Sequence, residues 1–221
     1  MLGCLKRRIH SGACMGAIHL VATWFVRIVH RVRIEGLPTA GGWADCGGSI
    51  VVANHVSGVD PVLLQVAFPR ETRWMMDRTM MVPSLGFFWK FLRIIPVDTE
   101  ESKTTVGAIR DAMRHLNNGG VLGIFPEGQI ARPQGRVLPF LPGLGTLAAR
   151  TGATTFVFVI DGVPECHSAF GGLFRPSHAR VRLIARVAPP ARGNEVEWSG
   201  AIRTQMAQAL GYPTTDTLEP T

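Results

Sequence analysis

Cysteine is scarce in this chain, and its placement excludes two common kinds of site. The four cysteines of the 221 residues are widely spaced, with no Cys-x-x-Cys pair and no Cys/His cluster. That pattern excludes a zinc site of the usual spacing and a disulfide framework. We therefore expect reduced thiols in a cytosolic setting, no bound metal and no tightly held cofactor.

Runs of like charge are also missing, although the chain is basic overall. It carries 23 basic and 16 acidic residues, a net charge of +7, but no run of five basic residues and no basic patch interleaved with aromatics. The latter are typical of single-strand nucleic-acid binding, so nucleic acid is not expected as a partner. An anionic membrane or a phosphorylated substrate suits the charge better.

No long hydrophobic run is present, but the N-terminus holds a shorter one. The apolar stretch 13–29 contains His19 and Arg27 and, at about 17 residues, is short for a membrane span. We predict that residues 1–31 are an amphipathic, membrane-associated segment, whose apolar stretch forms a helix lying on the membrane surface. A helix packed on the core, or a spanning helix, are the alternatives. The predicted apolar face comprises Ile18, Val21, Ala22, Phe25, Ile28, Val29 and Val32.

Beyond the N-terminal segment, apolar strand patterns alternate with helical ones. This alternation predicts one α/β domain over residues 32–212, a sandwich with a mostly parallel central sheet flanked by helices, followed by a polar tail over 213–221. Strands are predicted at 32–35, 49–53, 72–76, 94–97, 121–125, 155–160 and 179–187, and helices at 61–68, 83–92, 101–117, 143–150 and 196–210.

The first chemical motif follows the apolar strand 49–53, which ends in Asn54 and His55. Asp60 comes five residues after the histidine and is followed by Pro61, a pattern that predicts Asp60 as a helix N-cap. The carboxylate of Asp60 can fold back and accept a hydrogen bond from one imidazole nitrogen, which leaves the other nitrogen free to take a proton. The alternative is an ordinary loop histidine beside a capping aspartate.

A second polar turn follows the apolar strand 121–125. Pro126 restricts the backbone and Gly128 permits a tight turn, so Glu127 between them is held rigidly. In parallel sheets the turns after the strands collect at one edge, where ligands bind. The alternative is a surface turn with an unremarkable glutamate.

The combination of Asn54-His55-x4-Asp60 with Phe-Pro-Glu-Gly about seventy residues later resembles the glycerolipid acyltransferases, the family of lysophosphatidic acid acyltransferase. The resemblance covers roughly residues 32–190. It implies that His55 is the catalytic base and Asp60 its orienting partner. It also implies that Glu127 and Gly128 bind the acceptor lipid, and it gives no role to a metal.

The chain departs from the family pattern where phosphate is bound. Thr99 stands where the family usually has arginine, and Arg93 or Lys90 is the candidate substitute. The third motif normally continues Thr-Arg-Ser, whereas here Gln-Ile-Ala precedes the displaced basic residue Arg132. These differences leave the acceptor head group open.

The resemblance implies transfer of a fatty acyl group from acyl-CoA or acyl-carrier protein to the hydroxyl of a lysophospholipid-type acceptor. We expect direct attack without an acyl-enzyme, since the chain has no Gly-x-Ser-x-Gly elbow. A peripheral or monotopic location on the cytoplasmic face of a membrane is expected. Alternatives are a thioester or lipid hydrolase using the same dyad, a transacylase, and a non-catalytic membrane-binding protein.

Overall fold

The computed structural model describes residues 12–38, 47–81, 86, 93–97, 102–166 and 171–215, without the side chains of 12–18 and 102–104. Most of the predicted aromatic helix 83–92, with Lys90, lies outside the described residues, as does Thr99. The remaining predicted helices and strands are all present, with ends shifted by one or two residues.

A seven-stranded sheet forms the centre of the described structure. The strands are β1 (Arg33–Glu35), β2 (Ser49–Val52), β3 (Thr72–Asp77), β4 (Ile95–Val97), β5 (Val121–Ile124), β6 (Thr154–Asp161) and β7 (Arg180–Val187). Their order in the sheet is β1-β7-β6-β2-β5-β3-β4. All neighbouring strands are parallel except β6 and β7, which are antiparallel, so the predicted mostly parallel α/β fold is confirmed.

Helices cover both faces of the sheet, which explains why the central strands carry apolar side chains on both faces. The helices are α1 (Gly12–Val29), α2 (Asp60–Ala67), α3 (Ser102–Asn117), α4 (Leu144–Thr151), α5 (Gly171–Phe174) and α6 (Glu195–Leu210), with a 3-10 turn at Arg78–Met80. In β2 every residue is buried: Val51 belongs to the core beneath α1 and α2, while Ile50 and Val52 belong to the core beneath α3, α4 and α6. A strand with apolar side chains on both faces is stable only between two layers.

Helix α1 is apolar on two sides, and the predicted apolar face is divided between them. Val26 is fully buried and Phe25 packs against the same core, whereas Val21 and Ile28 are 69% and 67% exposed. Helix α1 (Gly12–Val29) therefore contributes to the core of the domain through one side and leaves the other side exposed. Within the described part of the chain, no helix has the length and apolar character needed to cross a membrane.

The first residues after the predicted end of the domain hydrogen-bond to it. Val137 donates its backbone N–H to the carbonyl of Pro213 at 3.1 Å, and the N–H of Thr215 donates to the carbonyl of Val137 at 3.2 Å. Residues 213–215 therefore contact the segment between β5 and α4.

Candidate active site

The turn that carries the first motif leaves β2 between its neighbours β5 and β6, and Asn54 fixes its start. The side-chain amide of Asn54 donates to the carbonyl of Ile160 at 2.9 Å, and the N–H of Ile160 donates back to Oδ1 at 2.8 Å. Asn54 is buried, so both bonds are protected from water. The side chain replaces a missing step of the sheet ladder and anchors the turn to β6. No role for Asn54 was predicted from the sequence.

Asp60 organises the rest of the turn. One carboxylate oxygen, Oδ2, accepts hydrogen bonds from the ring Nδ1 of His55 at 2.8 Å and from the backbone N–H groups of Val56 and Ser57 at 2.7 and 2.8 Å. The predicted N-cap role of Asp60 is wrong: α2 begins at Asp60, and the capping position is Val59, which makes no side-chain cap. The carboxylate reaches back to the turn because its donors lie there rather than in the helix.

The hydrogen bond to Asp60 determines how His55 can act. Because a carboxylate oxygen that already accepts two N–H groups is an acceptor, Nδ1 of His55 must carry the hydrogen. The other ring nitrogen, Nε2, then keeps its lone pair and is the basic site. Among the described residues, no group hydrogen-bonds to Nε2, and the side chain is 18% exposed. The predicted base–orienter pair is present in the geometry that its chemistry needs.

Aromatic rings pack against the histidine on the side of β5. The imidazole of His55 stacks on the ring of Phe125, with centroids 4.1 Å apart and planes 13° from parallel. Phe125 stacks in turn with Trp74 of β3, at 5.2 Å and 15°. Sequence alone gave no indication of Trp74, since it lies inside an ordinary strand and its contact depends on strand order.

Glu127 is buried directly behind the histidine. Its Oε1 accepts the backbone N–H of His55 at 3.0 Å, and Oε2 accepts the backbone N–H of Leu138 at 2.8 Å. Burial raises the pKa of Glu127 to about 7, because loss of water disfavours the carboxylate more than the two N–H donors favour it. At 1% exposure, the carboxylate contacts the backbone of the catalytic turn rather than an open surface.

The segment after Glu127 also hydrogen-bonds to the turn that carries His55. The N–H of Ala131 donates to the carbonyl of His55 at 2.9 Å, and the side-chain amide of Gln134 donates to the carbonyl of Val56 at 3.0 Å. Both backbone polar groups of His55 are therefore bonded to segment 126–138. Gly128 has φ +72°, a backbone conformation that residues with a side chain rarely adopt, so glycine is favoured there.

The two remaining candidate residues within the described structure, Arg132 and Arg93, lie at different distances from His55. Arg132 lies in the segment that hydrogen-bonds to the turn, next to Ala131. Arg93 precedes β4, which is three strands from β2, a lateral distance of about 14 Å. It lines a pocket with Arg73 and His115 beneath α3, so the structure does not bring it to His55. Among the described residues, no group of three or more His, Cys, Asp or Glu side chains is arranged to hold a metal.

Comparisons with a family model and with curated proteins both point to acyltransferases. A family model described as Acyltransferase matches residues 13–161. A 1-acyl-sn-glycerol-3-phosphate acyltransferase of Helicobacter pylori is 27% identical over 110 residues, which is 49% of this chain and 46% of that protein. A chloroplastic enzyme of the same name from Arabidopsis thaliana is 23% identical over 82% of this chain and 49% of its own length. The chain thus spans about half the length of these curated relatives.

A solved structure shares the fold. The crystal structure of the 1-acyl-sn-glycerophosphate acyltransferase PlsC from Thermotoga maritima superposes with a TM-score of 0.70 at 22% identity, covering 89% of this chain and 78% of that one. At this level of identity, the likeness concerns the fold.

Proposed function

This chain belongs to the glycerolipid acyltransferase family, and on that premise we propose that it transfers a fatty acyl group from an acyl thioester to the hydroxyl of a lysolipid acceptor. The observation that carries this proposal is the dyad: Asp60 holds Nδ1 of His55 at 2.8 Å, and no described group hydrogen-bonds to Nε2. A binding module has no need of a histidine held in this tautomer.

The proposed reaction is a direct transfer. His55 takes the proton of the acceptor hydroxyl at Nε2 while the hydroxyl oxygen attacks the thioester carbonyl carbon. The C–S bond breaks, and His55 returns the proton to the departing thiolate. Positioned acid–base catalysis of this kind contributes on the order of 10²–10⁴-fold, and holding two substrates together supplies much of the rest. A thioester is already activated, so the proposal includes no metal or other cofactor.

Ser57 supports transfer without an acyl-enzyme. It is the hydroxyl residue of the catalytic turn, yet it is only 4% exposed. A Cβ on Gly172 would lie 2.1 Å from its Oγ, so α5 covers this hydroxyl closely. A nucleophile must reach the thioester carbon, which a covered hydroxyl does not do.

The acceptor and donor are proposed from chemistry rather than from contacts. We assign the anionic head group to the segment after Gly128, where Arg132 carries a positive charge next to Ala131, whose N–H contacts the turn. The geometry around Glu127 favours positioning of His55 over the lipid contact that the resemblance implies. Acyl-CoA and acyl-carrier protein are both compatible as donors, and lysophosphatidate is the first acceptor to test.

An exposed apolar strip on α1 supports attachment to a membrane surface. Leu20, Val21, Trp24 and Ile28 are each 61% or more exposed. Exposed Arg27 lies beside them, and the net charge of +7 favours anionic lipid. We propose peripheral attachment through this strip, at the cytoplasmic face, where acyl-CoA and acyl-carrier protein occur.

The test is an acylation assay on vesicles containing lysophosphatidate, with acyl-CoA or acyl-carrier protein as donor and mass spectrometry of the lipid product. The wild type should form the diacyl lipid, and His55→Ala should abolish turnover while remaining folded by circular dichroism. Asp60→Ala should reduce turnover less completely. His178→Ala removes an exposed histidine and is the matched control. Normal acylation by the His55→Ala protein would disprove the dyad mechanism.

The same assay separates the alternatives. A hydrolase would release free fatty acid at the same rate with or without the acceptor. A transacylase would form product without any thioester donor. A non-catalytic membrane-binding protein would bind vesicles without turnover, and His55→Ala would leave that binding unchanged.

A further inference from the structure

We propose that Trp74 is a positioning residue, which holds the catalytic imidazole of His55 in place through the ring of Phe125. The three rings form a continuous stack, with centroids 4.1 Å apart between His55 and Phe125 and 5.2 Å apart between Phe125 and Trp74. The interplanar angles of 13° and 15° keep all three nearly parallel. The kinetic part of this inference rests on the proposed acyl transfer, and the structural part does not.

The sheet register explains why Trp74 can reach this position. Trp74 of β3 pairs with Gly123 of β5. Gly123 and Phe125 point to the same face because side chains alternate along a strand. A Cβ on Gly123 would lie 2.3 Å from Cε3 of the indole, so the indole occupies the space that any other side chain at this position would fill. Glycine thus lets the indole lie across β5 and contact Phe125.

The hydrogen bond to Asp60 alone does not fix the plane of the imidazole. It holds the Nδ1 edge of His55 at 2.8 Å, but the ring can still tilt about that edge and displace Nε2. A flat ring at stacking distance restricts this tilt. When His55 takes the proton, the imidazolium faces the π-system of Phe125, an arrangement that attracts a cation. The stack therefore bears on the step in which Nε2 accepts the proton.

Trp74 itself is 6% exposed, so substrate does not reach it and its influence must pass through its neighbours. That burial also makes ordinary destabilisation the main rival explanation for any loss of activity. Phe68 is a suitable control because it is a fully buried aromatic residue of the same core, packed against Phe156 at 5.1 Å, and is not one of the three stacked rings.

The kinetic experiment compares Trp74→Leu, Trp74→Phe and Phe68→Leu in the vesicle assay, after each is shown to be folded. We expect Trp74→Leu to lower kcat about tenfold or more, since small misplacements of a catalytic group have effects of this order. The KM values for acceptor and donor should stay near those of the wild type. Trp74→Phe keeps a flat ring and should restore most of the activity, and Phe68→Leu should lose stability but keep its kcat.

A second measurement reads the position of His55 without turnover. The ring current of Phe125 shields the Cε1 proton of His55, whose NMR signal is assigned by its absence in His55→Gln. In Trp74→Leu the signal should move downfield if the stack loosens. If that variant does not fold, Gly123→Ala serves instead, because it keeps every ring and displaces the indole.

The proposal is overturned if Trp74→Leu behaves as Phe68→Leu does, or if the His55 signal stays unmoved while Trp74 is replaced or displaced. A rise in KM at unchanged kcat would also overturn it, because Trp74 would then act on substrate. An inactive wild type on every acceptor would refute the proposed function instead, and the NMR measurement would still decide on the stack.

Discussion

Glu127→Gln tests the buried carboxyl behind the catalytic histidine through its ionisation. Burial raises the pKa of Glu127 from its ordinary value of 4.5 to about 7, against the effect of N–H donors from Leu138 and His55. The folded protein therefore binds this proton more tightly than the unfolded chain does. Folding takes up a proton between those pH values, so the free energy of unfolding falls as pH rises through them. At 1.36 kcal/mol per pKa unit, the loss approaches about 3 kcal/mol above pH 7.

Glutamine cannot ionise, so the variant lacks this pH dependence. It also turns an NH₂ group toward one of the two backbone N–H donors, leaving that donor unpaired at a cost of about 1–3 kcal/mol at every pH. The variant should be less stable than the wild type at about pH 5 and equally or more stable at about pH 8. Urea unfolding at both pH values measures this, and Glu197→Gln, at an exposed position of α6, is the control.

The same variant separates positioning from substrate binding. Because Glu127 accepts the N–H of His55 at 3.0 Å, its loss should lower kcat and leave the KM for the acceptor near the wild-type value. A stability difference between wild type and variant that is the same at both pH values would refute the raised pKa. A higher acceptor KM at unchanged kcat would show that the carboxylate contacts the lipid, as the family resemblance implies.

Three further substitutions have direct structural predictions. Asn54→Ala removes two buried hydrogen bonds to β6 and leaves both backbone partners unpaired, so urea unfolding should show a loss of about 2–4 kcal/mol. Gly48→Ala should lower the Tm sharply, because its Cβ would lie 2.2 Å from the carbonyl oxygen of Leu116, whereas Gly47→Ala, with nothing within 4 Å, should not. Trp24→Ser should weaken sedimentation with anionic vesicles about tenfold, and unchanged binding would exclude α1 as the membrane contact.

Features that depend on neighbours in sequence could be predicted well. His55 and Asp60 are five residues apart at the start of a helix, so a contact between them requires only a turn, and the structure shows it. The capping role of Asp60 was predicted wrongly for a physical reason. The N–H groups that its carboxylate binds belong to Val56 and Ser57 in the turn, and local sequence does not distinguish these donors from those of a helix.

Features that depend on strand order could not be predicted. Glu127 and His55 were both expected at the carboxyl edge, but the bond between them exists because β2 and β5 are adjacent. The stack on Trp74 needs β3 beside β5 as well. Helix α1 shows a different difficulty, since apolar residues on two sides of a helix do not reveal which side meets the core.

The way segment 126–138 holds the turn bears on the departures from the family pattern. Its bonds to the turn are made by the side chains of Glu127 and Gln134 and by the backbone N–H of Ala131. None of these three bonds uses the side chain of Gln129 or Ile130. Gln129 and Ile130 can therefore differ from the family pattern without moving the catalytic ring. Changes there are expected to alter the acceptor head group that is bound, while the proton-transfer geometry at His55 is preserved.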